Sequence, residues 1–192
     1  MLIGVDIDNV VAEFEAPFRA WINRHAGLSL RRADITRYRF AECCPLSHQE
    51  VADLFWDFVR AGHLRRLRLI PHARAALEGL GERAEVCLVT SRPPEELIVQ
   101  DTRYWLEMKG LGGARLIFAE RKWEVTEGFS LFVEDNLEQA LGLAQRGVRV
   151  LLLDYPWNRS GQVHPHIQRI GSWLEVVSHH GRDRPPAPLV AR

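Results

Sequence analysis

The sequence predicts an α/β fold, a doubly wound parallel sheet that carries a small inserted α-helical cap. Short apolar runs rich in β-branched residues recur along the chain, and most of the stretches between them have helical periodicity. Strands that read as continuous apolar runs and alternate with helices are typical of a parallel sheet covered on both faces. An unusually long interval after the first run predicts the insertion.

Five apolar runs are the predicted strands of this sheet. In chain order they are LIGV before Asp6, EVCLV before Thr90, ARLIFA around Ile117, SLFV before Glu134 and VRVLLL before Asp154. Ligands of open α/β sheets bind beyond the carboxyl ends of the strands. The residues that directly follow these runs are therefore the candidates for function.

Three stretches have clear helical signals. In the first, Ser47 and Glu50 form a capping box, and apolar residues repeat at helical spacing until Gly62. A second helix is predicted after RPPEE, with the prolines in its first turn, and runs toward Gly110. The third, LEQALGLAQRG, is expected to end at Gly147.

The interval between Asp8 and the next predicted strand, near Glu85, is far longer than one crossover helix needs. It is helical and rich in aromatic residues, which favours an inserted lobe. The end of the chain has no periodicity and much proline, as disordered segments do. The predicted organisation is a core domain of residues 1–13 and 69–181, a helical cap of residues 14–68 and a disordered tail of residues 182–192.

Composition and charge argue against several classes of partner. The 25 basic and 25 acidic residues cancel, so nothing global favours a nucleic-acid polymer or an anionic membrane. No stretch approaches the roughly 20 consecutive apolar residues of a spanning helix. Cys43, Cys44 and Cys87 fit no usual disulfide framework and are interpreted as free thiols. Without a signal-peptide pattern, the sequence predicts a cytoplasmic protein that binds a small ligand.

Three carboxylates are expected to meet at one edge of the sheet. Asp6 and Asp8 point to the same side of an extended segment, and Asp135 follows a neighbouring strand. Such a hard, oxygen-rich set suits Mg²⁺. One carboxylate of the pair could attack phosphorus, while the other donates a proton to the leaving oxygen.

Groups suited to a phosphate follow two other strands. Thr90 and Ser91 open a loop that leads into a helix N-terminus, where free N–H groups and the helix dipole favour an anion. The ammonium group of Lys122 would balance the remaining negative charge. Together with the carboxylates, these residues predict a phosphoryl-transfer site.

These segments also resemble a known family. DIDNVVAEFE, LVTSR, Lys122 and LFVEDN are similar, in the same order, to the four motifs of the haloacid dehalogenase-like (HAD) superfamily of phosphatases. The first segment is most similar to the 5'(3')-deoxyribonucleotidases, and LLLDYPWNR resembles a segment of related nucleotidases. The resemblance implies a Mg²⁺-dependent phosphomonoesterase that acts through an aspartyl-phosphate, with a (deoxy)nucleoside monophosphate as its leading substrate.

The resemblance also implies roles for individual residues. Asp6 would be the nucleophile and a metal ligand, whereas Asp8 would be the acid/base and lend its backbone carbonyl to the metal. A carboxylate at Asp8 favours phosphate chemistry over carbon–halogen chemistry. Lys122 would stabilise the phospho-intermediate, and Asp135, with Glu134 behind it, would complete the metal site.

Substrate contacts are implied for four further residues, which are Thr90, Ser91, Arg92 and Phe14. Thr90 would hold the phosphate, and Phe14 matches an aromatic residue that the deoxyribonucleotidases use near the base. Asn9 departs from the family pattern, which has Gly there. Because Asn tolerates positive φ well, the turn is expected to survive.

Several alternatives stay open at this point. The substrate could instead be a sugar phosphate or another small phosphate, and a non-catalytic nucleotide-binding or regulatory protein could use the same fold. Some single residues also have purely structural alternatives, which are a helix cap at Asp6, a turn residue at Asp8, an N-cap at Thr90 and Ser91, and a surface charge at Arg92. Arg121 could take the basic role instead of Lys122. Trp157 and Arg159 could form a homodimer contact instead of a site contact.

Overall fold

The computed structural model describes residues 1–161 and 164–176, so the predicted tail lies outside the described residues. Six parallel strands form one sheet in the order β3-β2-β1-β4-β5-β6. The strands are Leu2–Val5 (β1), Glu85–Thr90 (β2), Arg115–Phe118 (β3), Phe129–Glu134 (β4), Arg149–Leu153 (β5) and Ile167–Ile170 (β6). The predicted doubly wound parallel sheet is therefore confirmed.

The first strand of the chain is the centre of the sheet. Val5 of β1 is level with Leu88 of β2 on one side and with Val133 of β4 on the other. Because all three strands are parallel, their carboxyl ends meet at one edge. The sheet order reverses at β1, which places the residues after it at the switch point of the fold.

β6 is the strand that the sequence did not predict. Its sequence, IQRI, buries both isoleucines but leaves Gln168 and Arg169 half-buried. An edge strand pairs on one side only, so it does not need the continuous apolar run that marks the inner strands. The guanidinium of Arg169 also donates a hydrogen bond to the side-chain oxygen of Asn158.

Besides the helical residues 173–176, five α-helices lie wholly within the described residues and connect or flank these strands. They are Glu15–Ala26 (α1), His48–Arg60 (α2), Ala73–Gly81 (α3), Glu96–Met108 (α4) and Leu137–Ala144 (α5). The predicted capping box of Ser47 and Glu50 is confirmed at the start of α2. The prediction that prolines occupy the first turn of α4 is wrong, since Pro93 and Pro94 precede the helix. Each proline disfavours helical geometry in the residue before it.

The residues between β1 and α3 contain α1, α2 and three short 3₁₀ turns. The aromatic ring of Phe18 packs against Phe40, Phe55 and Phe58, with ring centroids 5.0, 6.0 and 5.4 Å away. These elements fall in the predicted cap of residues 14–68, whose standing as a separate domain stays a prediction. In the part of the chain that is described, no helix combines the length and apolar character needed to cross a membrane.

Close packing at the centre of the sheet makes Gly4 sensitive to substitution. A Cβ atom at Gly4 would lie 2.2 Å from ring atoms of Phe132, which is fully buried. We expect Gly4→Ala to lower the free energy of unfolding by about 1–3 kcal/mol, measured by urea denaturation. The control is Gly79→Ala on α3, where a Cβ meets nothing within 4 Å and stability should rise by up to about 1 kcal/mol. Equal stability of the two variants would contradict the packing argument.

Candidate active site

Asp6 and Lys122 form a buried ion pair at the carboxyl end of β1. Asp6 directly follows the strand, and its N–H donates to the carbonyl of Val133 at 3.0 Å. Nζ of Lys122 lies 2.6 Å from Oδ1 of Asp6 and 2.7 Å from Oε2 of Glu134. All three side chains are buried. Lys122 thus joins two neighbouring carboxylates, and Asp6 caps no helix.

The basic residue beside Lys122 does not reach this cluster. Arg121 is exposed, and its guanidinium pairs with Glu124 at 3.3 Å. Lys122 is instead buried, and its own N–H donates to Oε1 of Gln139 at 2.9 Å. Of the two candidates for the basic role, Lys122 is therefore the one that contacts Asp6.

Burial dominates the electrostatics of the cluster. It raises the pKa of Asp6 to about 7, against the attraction of Lys122 and with added repulsion from Glu134 and Asp8. Burial also acts to lower the pKa of Lys122, but the negative charges of Asp6 and Glu134 outweigh it, and the net shift is upward. The lysine therefore stays charged, whereas burial opposes the charged form of the Asp6 carboxylate even beside Lys122.

Asp135 has one carboxylate oxygen in use and one without a partner. Its Oδ2 accepts hydrogen bonds from Nδ2 of Asn9 at 3.2 Å and from Nε1 of Trp157 at 3.1 Å. Its Oδ1 is buried and has no hydrogen-bond partner among the described residues. Burial, followed by the charges of Asp6 and Glu134, raises the pKa of Asp135 well above its ordinary value.

The donor set fits a divalent cation. Carboxylate oxygens of Asp6, Glu134 and Asp135 lie within 4.8 Å of one another. The acidic cluster with Lys122, together with the neighbouring pair of Asp8 and Arg92, comprises four carboxylates and two cations. Their formal charges leave a surplus of two negative charges, which equals the charge of Mg²⁺. The unpartnered oxygen of Asp135 also needs a positive partner.

Glu134 differs from Asp6 and Asp135 in that its carboxylate is fully engaged by other groups of the protein. Its Oε2 accepts from Lys122, and its Oε1 accepts from the backbone N–H groups of Asp135 and Asn136 at 3.3 and 3.1 Å. Both oxygens are therefore engaged within the protein. Glu134 orients Lys122 and the start of the loop that carries Asp135.

The Asp8 carboxylate does not belong to the cluster of three acids. Its two oxygens accept hydrogen bonds from Arg92, at 2.8 Å from Nε and 2.6 Å from Nη2. The expectation that Asp8 offers its backbone carbonyl to a metal stays a prediction. The alternative that Arg92 is a surface charge is wrong, because its side chain is 2% exposed.

Thr90 and Ser91 lie at the end of β2, beside the same edge. Oγ1 of Thr90, a buried residue, accepts a hydrogen bond from the N–H of Arg92 at 3.2 Å. The alternative that the two residues cap α4 is wrong, since Glu95 occupies the N-cap position. Both residues line the cavity above the acidic cluster.

A cavity of about 510 Å³ opens over this edge, between the sheet and the inserted helices. Its polar end is lined by Asp6, Asp8, Thr90, Ser91 and Arg92, and its apolar end includes Phe14, Phe18, Ile35, Val51 and Phe55. Phe14 lines this cavity, and its place beside a base stays a prediction. The helical spacing of Phe55 and Phe58 in the sequence predicts that both belong to the core of the insertion. Phe58 is fully buried as that assignment requires, but Phe55 lines the cavity.

Tyr38 is a residue of the insertion that sequence reasoning did not assign to the site. Its side chain is 44% exposed and lines the cavity, yet its hydroxyl is hydrogen-bonded to Asn136. Burial, together with the charges of Asp135 and Asp6, raises the pKa of Tyr38 well above its ordinary value. The ring thus faces the cavity while the hydroxyl lies close to the acidic cluster. Its sequence neighbours carry no motif that could have indicated this.

The segment after β5 supplies a second set of site residues. Trp157 is buried, bonds Asp135 and stacks on Tyr155 with ring centroids 4.4 Å apart. Nδ2 of Asn158 donates to the backbone carbonyl of Asp135 at 2.7 Å. Of the two residues left open between site and dimer contact, Trp157 therefore lies at the site. Arg159 is exposed and pairs with Asp154 at 2.9 Å.

Asn9 connects three parts of the site. It adopts φ of 59°, so the predicted positive-φ turn is confirmed. Besides bonding Asp135, its Oδ1 accepts the N–H of Glu15 at 2.8 Å, and its carbonyl accepts the hydroxyl of Tyr155 at 2.9 Å. A glycine could make the same turn but not the two side-chain contacts.

Known proteins resemble this chain over nearly its whole length. A sequence model of the family described as "5' nucleotidase, deoxy (Pyrimidine), cytosolic type C protein" matches residues 1–180. A curated nucleotidase of Clostridium acetobutylicum is 24% identical over 181 residues, which cover 91% of this chain and 90% of that protein.

Two solved structures have a similar fold. One is a hydrolase of the haloacid dehalogenase-like family from Streptococcus pneumoniae, with a TM-score of 0.69 at 15% identity, covering 93% of this chain and 97% of the other. The second, described as a HAD hydrolase of Bacillus subtilis bound to magnesium, has a TM-score of 0.63 at 16% identity, with coverages of 95% and 98%. These likenesses concern the fold, and they agree with the resemblance of the sequence motifs.

Proposed function

Because the chain belongs to the family of 5' nucleotidase, deoxy (pyrimidine), cytosolic type C proteins, and is thus a nucleotidase-like phosphoric monoester hydrolase, we propose that it hydrolyses nucleoside monophosphates through an aspartyl-phosphate. The observation that carries the mechanism is the buried Asp6, paired with Lys122 beneath the cavity. A pyrimidine deoxyribonucleotide is the leading substrate. The unpaired cysteines support the expected cytoplasmic location.

In the proposed first step, a carboxylate oxygen of Asp6 attacks phosphorus as the bond from phosphorus to the ester oxygen breaks. Asp8, in its protonated form, gives its proton to that oxygen, so the nucleoside leaves as a neutral alcohol. Lys122 stays charged throughout and faces the negative charge that gathers beside Asp6. Thr90, at the end of β2, would donate a hydrogen bond from its hydroxyl group to a phosphate oxygen.

The second step releases phosphate. Water attacks phosphorus, Asp8 takes a proton from the water, and the bond between phosphorus and Asp6 breaks. Both carboxylates then return to their starting states, with inorganic phosphate as the second product. Lys122 and Glu134 keep their ion pair through both steps.

The residues that would hold Mg²⁺ are Asp6, Asp135 and the backbone carbonyl of Asp8. The unpartnered Oδ1 of Asp135 and the two surplus negative charges support this assignment. When bound, Mg²⁺ neutralises the charges that would otherwise repel an incoming phosphate. Asn9 and Trp157 keep the other oxygen of Asp135 occupied, which leaves Oδ1 for the metal.

The shape of the cavity supports a nucleotide over a sugar phosphate. Its polar end holds the groups assigned to the phosphate, while the lining from the insertion includes the rings of Phe14, Phe18 and Phe55 besides the polar Arg39 and His48. An apolar, aromatic wall suits the flat face of a nucleobase. The same wall would leave most hydroxyl groups of a sugar without hydrogen-bond partners.

A panel of phosphate esters tests the proposed function. We expect phosphate release from nucleoside monophosphates in Mg²⁺, none in excess EDTA, and recovery when Mg²⁺ is restored. Phe14→Ala should raise KM for nucleotides about tenfold, the effect of losing roughly 1.4 kcal/mol of contact. Its control is Tyr104→Ala, an exposed aromatic of α4 outside the cavity.

Other outcomes of the panel would overturn specific parts of the proposal. Sugar phosphates that are hydrolysed ten times faster than any nucleotide would exclude the nucleotidase assignment while leaving a phosphatase. A protein that is stabilised by nucleotides against heat but releases no phosphate would be a binding protein. Full activity in EDTA would exclude a requirement for Mg²⁺.

A further inference from the structure

All three nitrogen positions of the Arg92 guanidinium are engaged by the protein. Nε and Nη2 donate to the two oxygens of Asp8, and Nη1 donates to Oγ1 of Thr102 at 2.9 Å. The Arg92 side chain is 2% exposed, and Thr102 on α4 is fully buried. This arginine is therefore fixed at both ends of its guanidinium plane, and it presents that plane to Asp8.

Such a two-point contact determines the orientation of a carboxylate. A single hydrogen bond lets a carboxylate rotate about its terminal torsion, whereas two parallel bonds from a rigid guanidinium fix its plane. A lysine in the same place would supply the charge but not the fork. The exposed fraction of Asp8 is 19%, so its carboxylate borders the cavity from this fixed position.

We propose that Arg92, held in place by Thr102, is the positioning residue that aims the Asp8 carboxyl group at the leaving oxygen of the substrate. The inference rests on the proposed function, and it replaces the expectation that Arg92 binds the phosphate. In the first step, Asp8 passes a proton, held on a lone pair that Arg92 does not engage, to the ester oxygen as the bond from that oxygen to phosphorus breaks. Arg92 contributes only by holding the Asp8 carboxyl group within reach of the leaving oxygen.

The leaving group distinguishes this role from a phosphate contact. A nucleoside leaves as an alkoxide unless it is protonated, so its departure depends on a well-placed acid. The 2,4-dinitrophenolate ion is stable without a proton, so its departure does not. Loss of Asp8 positioning should therefore slow nucleotide hydrolysis selectively, whereas loss of a phosphate contact should slow both esters alike.

The experiment compares kcat/KM for a nucleoside monophosphate and for 2,4-dinitrophenyl phosphate, because this constant reports the step in which the leaving group departs. We expect Arg92→Lys to lower kcat/KM for the nucleotide about 10-fold to 100-fold. This is less than the full rate enhancement of a general acid, because the acid itself is retained. The value for the dinitrophenyl ester should fall less than about threefold. Arg103→Lys, the same change at an exposed neighbour on α4, should alter neither value.

Two variants at Thr102 keep the test decisive if Arg92→Lys does not fold. Thr102→Val retains the shape of the side chain but removes the acceptor for Nη1, and it should reproduce the selective loss for the nucleotide in smaller measure. Thr102→Ser restores the hydroxyl and should recover most of that loss. A purely structural role would give equal changes for the two esters.

The outcomes separate the inference from the function on which it rests. Equal losses for both esters in Arg92→Lys would overturn the positioning role in favour of a phosphate contact or a purely structural one, while the function stands. Unchanged constants in Arg92→Lys and Thr102→Val would exclude any role for the pair. A wild-type protein that hydrolyses neither ester would overturn the proposed function itself.

Discussion

Replacing Asp6 by Asn is expected to lower kcat at least about a thousandfold, because an amide cannot form the proposed bond to phosphorus. Asp6 is buried beside Lys122 at the polar end of the cavity. It directly follows β1, the strand between β2 and β4. The measurement is phosphate release from a nucleoside monophosphate in saturating Mg²⁺. Activity within tenfold of the wild type would exclude Asp6 as the nucleophile.

Measuring the stability of the same variant distinguishes loss of the nucleophile from misfolding. In metal-free protein the pKa of Asp6 is about 7, against an ordinary value of 3.8. Between those pH values the folded state holds a proton that the unfolded state has released, so stability falls as pH rises through this window. Asn has no proton to lose. We therefore expect Asp6→Asn, unfolded by urea in EDTA at pH 8, to be at least as stable as the wild type.

Asp8→Asn provides a companion to this comparison. It removes the proposed acid/base but leaves the carboxylates of Asp6 and Asp135 in place. We expect it to retain stabilisation by Mg²⁺ while losing most of its turnover. Full activity of this variant would remove Asp8 from its role.

Replacing Lys122 by Met is expected to impair both stability and turnover. The variant leaves Asp6 and Glu134, both buried, without the cation that lies between them. Removing one partner of a buried ion pair costs about 3–5 kcal/mol, and loss of a preorganised charge beside the reacting group lowers kcat about 100-fold to 1,000-fold. Urea denaturation in EDTA and phosphate release measure the two effects.

Arg121→Met is the matched control for Lys122→Met. Arg121 is the adjacent residue, but it is exposed and pairs with Glu124 at the surface. Its loss should change stability by no more than about 0.5 kcal/mol and leave turnover unchanged. If the two variants behave alike, the buried lysine has no special part in the site.

The strand ends were the predictable part of this molecule. Apolar runs mark β1, β2 and β4 in the sequence, and parallel strands must end at a common edge, so Asp6, Thr90 and Asp135 could be placed together without coordinates. The apolar periodicity and capping box of α2 were likewise local signals. Each of these predictions depends on a few residues that are neighbours in the sequence, and their pattern alone indicates the structure.

Long-range contacts were the unpredictable part. The pairing of Arg92 with Asp8 joins residues 84 positions apart, and the bond from Trp157 to Asp135 links two separate strand ends. Neither partner carries a local pattern that specifies the other. The hydroxyl of Tyr38 is a similar case, since an aromatic residue in a helical insertion is equally consistent with a core position. β6 escaped prediction because half of its residues are polar.

The central place of β1 in the sheet also has a consequence for the synthesis of the protein. β1 leaves the ribosome first, yet its neighbours are β2 and β4, which end at Thr90 and Glu134. At about 5–20 residues per second, roughly 6–26 s separate the translation of β1 from that of the last residue of β4. An apolar strand is thus without one of its partners throughout this interval. The four residues of β1, LIGV, also position the candidate active site. During translation the same residues are therefore available for collapse of the nascent chain and for contact with chaperones.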